Sequence, residues 1–157
     1  MMFKSLKSAI IKCEFRQATL SDTARIVKML REFYAKSGKI FGIPWDHDSA
    51  METVWQTMER GACVVGDHSC AGAIIGDFRY NRSVKVAQVV FWYFTKPREI
   101  DIFRELALAC RDLGCTHFHA SSLWPSNTIG RHYRKHGLWE AETQWIGELS
   151  CITGHKD

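Results

Sequence analysis

No stretch of about 18 consecutive apolar residues occurs in this 157-residue chain, and Ala9-Ile10-Ile11 behind Lys4 and Lys7 is too short for a membrane span or a secretion signal. The expectation is a soluble, cytoplasmic protein. No internal repeat and no low-complexity linker divides the chain. One domain over 1–157 is therefore expected, with 1–10 and 152–157 as tails, and 46% hydrophobic residues suffice for a buried core. A clustered cysteine framework is also missing. Cys13, Cys63, Cys70, Cys110, Cys115 and Cys151 lie scattered in apolar segments, which reads as reduced, buried thiols. Nor is there a large excess of one charge: the formal +4 comes mainly from Lys4, Lys7 and Lys12 and from Arg131, Arg134 and Lys135. Such small clusters read as solvated faces before they read as a nucleic-acid surface.

What is present is a regular succession of elements. Ile10 to Gln17 alternates weakly and runs into Ala18-Thr19-Leu20-Ser21-Asp22, where Thr19 or Ser21 can cap a helix. In that helix Ile26, Val27, Leu30, Phe33 and Tyr34 recur at helical spacing, and Ser37-Gly38 ends it. Gly42 and Pro44 make 39–47 an irregular loop and a candidate substrate lip. A second amphipathic helix follows, with Asp48 or Ser49 as cap and Met51, Val54, Trp55 and Met58 on its apolar face, ending at Gly61.

Strands are predicted at Ala62 to Val65, Cys70 to Phe78 and Val84 to Phe94, joined by short polar turns into an antiparallel meander. The third alternates early and is apolar throughout later, as a strand entering the centre of a sheet does. Pro97 opens a helix with Ile100, Phe103, Leu106, Ala107 and Cys110 on one face. A strand at Cys115 to Ser121, a helix from Ser126 to His136 capped by Gly137, and a closing strand or hairpin from Leu138 to Leu149 complete the chain. The order predicts an α/β fold with helices on both faces of the sheet.

The opening Phe15-Arg16-Gln17-Ala18-Thr19-Leu20-Ser21-Asp22 and the run from Asn127 through Tyr133 to Gly137-Leu138 together resemble the GNAT superfamily of N-acetyltransferases, over roughly Glu14 to Leu149. The tryptophan-containing central strand is most similar to small divergent GNAT-like proteins of phages and prophages. The resemblance implies a mixed, mainly antiparallel central sheet and acyl transfer from acetyl-CoA, as cosubstrate, to a primary amine of a small molecule or protein. It also implies a central strand that splays from its neighbour, so that Phe91, Trp92, Tyr93 and Phe94 would hold the pantetheine arm. Lys96 and Arg98 would meet the phosphates, Asn127 would stand at the cofactor-side turn, and Tyr133 would be the catalytic acid.

The chain departs from that pattern at one place. Active relatives wrap the pyrophosphate in a glycine-rich turn at a helix start. Here the turn is Thr95-Lys96-Pro97-Arg98-Glu99-Ile100-Asp101, without a glycine and with one amide lost to proline. Glu99 and Asp101 are expected to place negative charge where a phosphate would sit. That departure supports a second reading, a catalytically inactive GNAT-fold binding or structural protein.

The chemistry itself requires a neutral amine, and deprotonating a lysine-like amine at pH 7 costs about 4 to 5 kcal/mol. Gln88 lies where a strand carboxylate would serve as base but cannot take a proton. His119, Glu140 and Glu142 are further candidates, each read first as structural or solvent-facing. Cys110, Cys115, His117 and His119 suggest zinc, but strand neighbours about 7 Å apart suit one tetrahedral ion poorly, so no metal site is assigned. Trp139 and Trp145 fit a homodimer face or an ordinary core equally well.

Overall fold

The computed structural model describes residues 13–37, 42–121 and 127–140. Both tails and the stretch from Ala141 to Leu149, on which most of the closing strand, Glu142 and Trp145 fall, lie outside the described residues, as does Ser126. Within them a five-stranded sheet has the order β1-β2-β3-β4-β5. Its strands are β1 (Arg16–Gln17), β2 (Gly61–Val65), β3 (Ser69–Phe78), β4 (Asn81–Phe94) and β5 (His117–His119). The first four pair antiparallel and β5 runs parallel to β4. The helices are α1 (Thr23–Ser37), α2 (His47–Arg60), α3 (Ile102–Asp112) and α4 (Asn127–Lys135). This is the mixed, mainly antiparallel α/β architecture expected.

Period-two alternation sorts the strand residues between two cores. Cys63, Val65, Cys70, Phe91 and Tyr93 join Ile26, Val27, Leu30 and Val54 of α1 and α2. Their neighbours Ala62, Val64, Ala71, Ala73 and Ala87 face Ile102, Leu106 and Cys110 of α3. The small alanines on the second face let α3 lie close to the sheet. On the first face, the Phe91 ring lies so near Gly72 that a Cβ there would stand 2.4 Å from its Cζ.

Several local expectations are corrected. The chain enters α1 through a 3₁₀ turn, Leu20–Asp22, and its buried Asp22 holds the entry. Asp22 accepts two bonds from Arg16 at 2.7 and 2.8 Å, one from the Thr19 amide at 2.9 Å and one from Arg25 at 3.2 Å. The Arg16 guanidinium holds its carboxyl well below the usual carboxylate range. α2 is capped by Asp46, whose side chain accepts from the Ser49 amide at 2.8 Å, and not by Asp48 or Ser49. Trp55 leaves the α2 core stripe: it is 47% exposed and donates from Nε1 to Thr23 Oγ1, while Thr57 is buried. Pro97 opens a single 3₁₀ turn, Pro97–Glu99, and α3 starts only at Ile102. The strand placed from Cys115 contracts to His117–His119, leaving Cys115 outside it. Gly137 adopts φ 82° after α4, a left-handed conformation that suits glycine at a helix end.

Candidate active site

β4 is treated differently at its two edges. Along β3 it is paired from Lys85 to Phe94, with Gly72 facing Phe91 and Ala73 facing Val89, so Val90 is the extra residue of a bulge. Along β5 it is paired only at Val86, Ala87 and Gln88, facing His117, Phe118 and His119. Beyond that point β4 runs on from Val89 to Phe94 with no strand beside it among the described residues. A backbone edge left open inside a fold is a ready acceptor for an extended ligand.

An aromatic cluster lies beside this open edge. Trp92 stacks on His132 (centroids 5.5 Å apart, planes at 26°) and packs on Phe103 at 4.9 Å and Tyr133 at 5.7 Å. Phe103, almost fully buried, adds contacts to Phe118 at 5.2 Å and to Tyr133 at 5.2 Å. Helical spacing of four brings His136 to 4.6 Å from His132. Tyr133 thereby bridges the two strand ends. Its ring rests on β4, and its hydroxyl donates to the carbonyl of Ser121, just past β5, at 2.8 Å. Burial pushes the Tyr133 phenol up to about 12.

The structure therefore brings Trp92 and Tyr133 together, and α4 spans Asn127–Lys135 within the helix expected from Ser126 to His136. It separates the other aromatics by face. Phe91 and Tyr93 point into the α1–α2 core, where Tyr93 accepts a bond from Lys36 Nζ at 3.1 Å, and Trp92 and Phe94 point the other way, 5.7 Å apart. Sequence reasoning missed His132. Its Nε2 is buried without a hydrogen-bond partner among the described residues, as is Trp92 Nε1. Burial, with the neighbouring His136 adding to it, lowers the His132 pKa and favours the neutral ring. The signal was its place beside Tyr133 and four residues before His136. Of the candidate bases, His119 is exposed and lies across from Gln88 of β4, and Glu140 is exposed. Trp139 is 77% exposed, which removes the core alternative for it.

The turn after β4 differs from expectation in the residue that mattered most. Glu99 is 1% exposed, and its Oε2 accepts from the His68 amide at 2.9 Å and from Ser69 Oγ at 2.6 Å. Its charge is directed into the protein, not at a ligand outside it. Lys96 and Arg98 are exposed and make no ion pair among the described residues. The amides of Glu99, Ile100, Phe103, Arg104 and Glu105 close local turns on carbonyls and are not free to cradle a phosphate. The turn after β4 therefore turns one acid inward and leaves two cationic side chains, Lys96 and Arg98, exposed.

Two cavities are lined by neighbouring elements. One of about 270 Å3 is lined by Arg16, Arg25 and Asp67 among others, and one of about 170 Å3 by Cys110, Cys115 and His117 among others. Among the described residues no group of three or more His, Cys, Asp or Glu side chains comes together as a metal site. No described helix is long and apolar enough to cross a membrane.

No protein-family model matches the chain, and no curated protein matches it. Solved structures do. A "predicted acetyltransferase" of Clostridium acetobutylicum with acetyl-CoA superposes with a TM-score of 0.69 at 12% identity, over 92% of this chain and 100% of that one. Glucosamine-6-phosphate N-acetyltransferase of Arabidopsis thaliana gives 0.65 at 11% identity over 88% and 99%. The AAC(6')-Iy structure in complex with a bisubstrate analogue gives 0.62 at 15% identity over 87% and 97%. The chain shares the fold of these acetyltransferase structures, at 11–15% sequence identity.

Proposed function

We propose that the protein is an acyl-CoA-dependent N-acetyltransferase acting on a primary amine of a small molecule or a protein. The observation that carries this reading is the open β4 edge from Val89 to Phe94 with Tyr133 bridging its mouth. Acetyl-CoA would supply an activated thioester carbonyl. The backbone of Phe91, Trp92, Tyr93 and Phe94 would hold its pantetheine arm, Lys96 and Arg98 would meet its phosphates, and Asn127 would stand at the cofactor-side turn.

In the transfer, the neutral acceptor nitrogen forms the new C–N bond, the C–S bond breaks, and the departing sulfur takes a proton held by Tyr133. A phenol near 12 looks mismatched to a thiol of about 8.5. The mismatch closes when the sulfur shares the same low-dielectric surroundings. Burial raises a thiol as it raises a phenol, so a sulfur held against the Tyr133 ring would move in the same direction. Tyr133 must swing its hydroxyl from the Ser121 carbonyl to the sulfur, a rotation that costs one hydrogen bond. The nitrogen's surplus proton leaves through water, since Gln88 cannot accept it.

A second reading, a GNAT-fold binding protein without catalysis, is favoured by the closed amides before α3 and by the proton of Tyr133 already committed to Ser121. The two are separated by incubating the protein with acetyl-CoA and a panel of amines, sugar phosphates and aminoglycosides among them, and following thiol release. An enzyme releases thiol with at least one amine and Tyr133→Phe suppresses it. Equal release by the variant removes Tyr133 from the acid role, and no release with any acceptor while CoA binds favours the binding protein.

A further inference from the structure

The buried carboxylate of Glu99 joins two turns that are far apart in sequence. Besides its bonds to the His68 amide and Ser69 Oγ, the Thr95 amide donates to the His68 carbonyl at 3.0 Å, so the 66–69 turn is held to both ends of the 95–99 turn. Ser69 is fully buried and faces Phe94, the last residue of the open β4 edge. Gly66 completes the arrangement: a Cβ there would stand 2.7 Å from Glu99 Oε2 and 2.5 Å from Ser69 Oγ, so only glycine leaves room for both oxygens. Gly66 also donates its amide to the Ser69 carbonyl at 3.0 Å.

We infer that Glu99, clasped by Ser69 and the His68 amide and admitted by Gly66, is a positioning residue that sets the 95–99 turn so that Lys96 and Arg98 face the phosphates of a coenzyme A lying along β4. The inference rests on the acyl-CoA reading and adds to it what stands in for a glycine loop. In a turn with no glycine the backbone cannot mould itself around a phosphate. The alternative is a rigid turn that presents cationic side chains, and a rigid turn needs an anchor. A carboxylate is suited to that role because a charge-assisted bond is about twice as strong as a neutral one, and inward burial also removes the repulsion it would otherwise exert on a phosphate.

The test compares wild-type protein, Glu99→Gln and Glu99→Ala, binding CoA by calorimetry and pantetheine, which lacks the phosphates, by NMR titration, with amide exchange at His68 followed in ligand-free protein. Glu99→Ala is expected to weaken CoA by about tenfold or more, and Glu99→Gln, which keeps an acceptor oxygen, by about threefold. Pantetheine affinity should stay within twofold, and His68 exchange should accelerate in Glu99→Ala. Loss of CoA and pantetheine binding in parallel would mean general destabilisation and overturn the inference. So would unchanged CoA affinity in Glu99→Ala. If wild-type protein binds no CoA, the acyl-CoA reading itself falls and the inference with it; failure of the clasp alone leaves wild-type binding intact.

Discussion

The two edges of β4 were built by the same strand and serve opposite ends. Towards β3, pairing runs from Lys85 to Phe94, interrupted by the bulge at Val90 and sealed by the Phe91 ring over Gly72, with a second irregularity between Lys85 and Asn81. Towards β5, pairing stops at Gln88 and is replaced by rings, with two buried nitrogens, Trp92 Nε1 and His132 Nε2, left without partners among the described residues. Buried polar atoms are normally satisfied, so such exceptions call for an explanation. Pairing holds one edge of β4, and side-chain packing replaces it at the other among the described residues.

The largest separation between the edges should come from Tyr133→Phe. Removing a proton donor is expected to slow acyl transfer by about 10²- to 10⁴-fold, while loss of the Ser121 bond costs only about 1 kcal/mol in urea unfolding. On the paired edge the signs reverse. Gly72→Ala forces a Cβ against the Phe91 ring and should lower stability by about 1–3 kcal/mol, read as a shift in the urea midpoint. Smaller again is the Lys96→Ala, Arg98→Ala double variant, expected to weaken CoA by about tenfold at low salt and progressively less as added salt screens the exposed charges. Stability should not move.

The smallest effect is a pH dependence. His132 is held neutral in the folded protein, chiefly by burial, so its pKa lies below the ordinary 6.5 that it regains on unfolding. The unfolded chain therefore binds the extra proton first, and stability falls as pH drops below about 6.5 towards the folded-state value. His132→Leu should flatten that part of the profile. Asp22 acts at lower pH in the same direction. Its carboxyl, held down by Arg16, contributes stability above about 3.9 that is lost as pH falls below it, so Asp22→Asn should flatten the acid limb. Thermal unfolding between pH 3 and 8 reads both.

Much of this fold was legible because it follows from periodicity. Alternation in β2 to β4 and helical spacing in α1, α2 and α3 assign residues to the two cores with few exceptions, Trp55 of α2 among them. Caps were less legible, since Asp46 won over Asp48 and Ser49 through a bond to the Ser49 amide that any of several early polar residues could have supplied. Tyr133 and Trp92 were found through a resemblance, and their mutual contact required the fold. Glu99 was misread because charge in sequence carries no direction: the same carboxylate that would repel a phosphate outside is an anchor when a turn from another part of the chain donates to it. His132 was passed over for the same reason, since only the folded chain lays it on Trp92.

The central claim, that the open edge of β4 is a coenzyme A site, is tested most directly by calorimetric titration with acetyl-CoA and with CoA. Saturable binding of both in the micromolar range, weakened in the Lys96→Ala, Arg98→Ala double variant, is the predicted result. No heat of binding for either ligand at millimolar concentration, from protein that unfolds cooperatively, would contradict it.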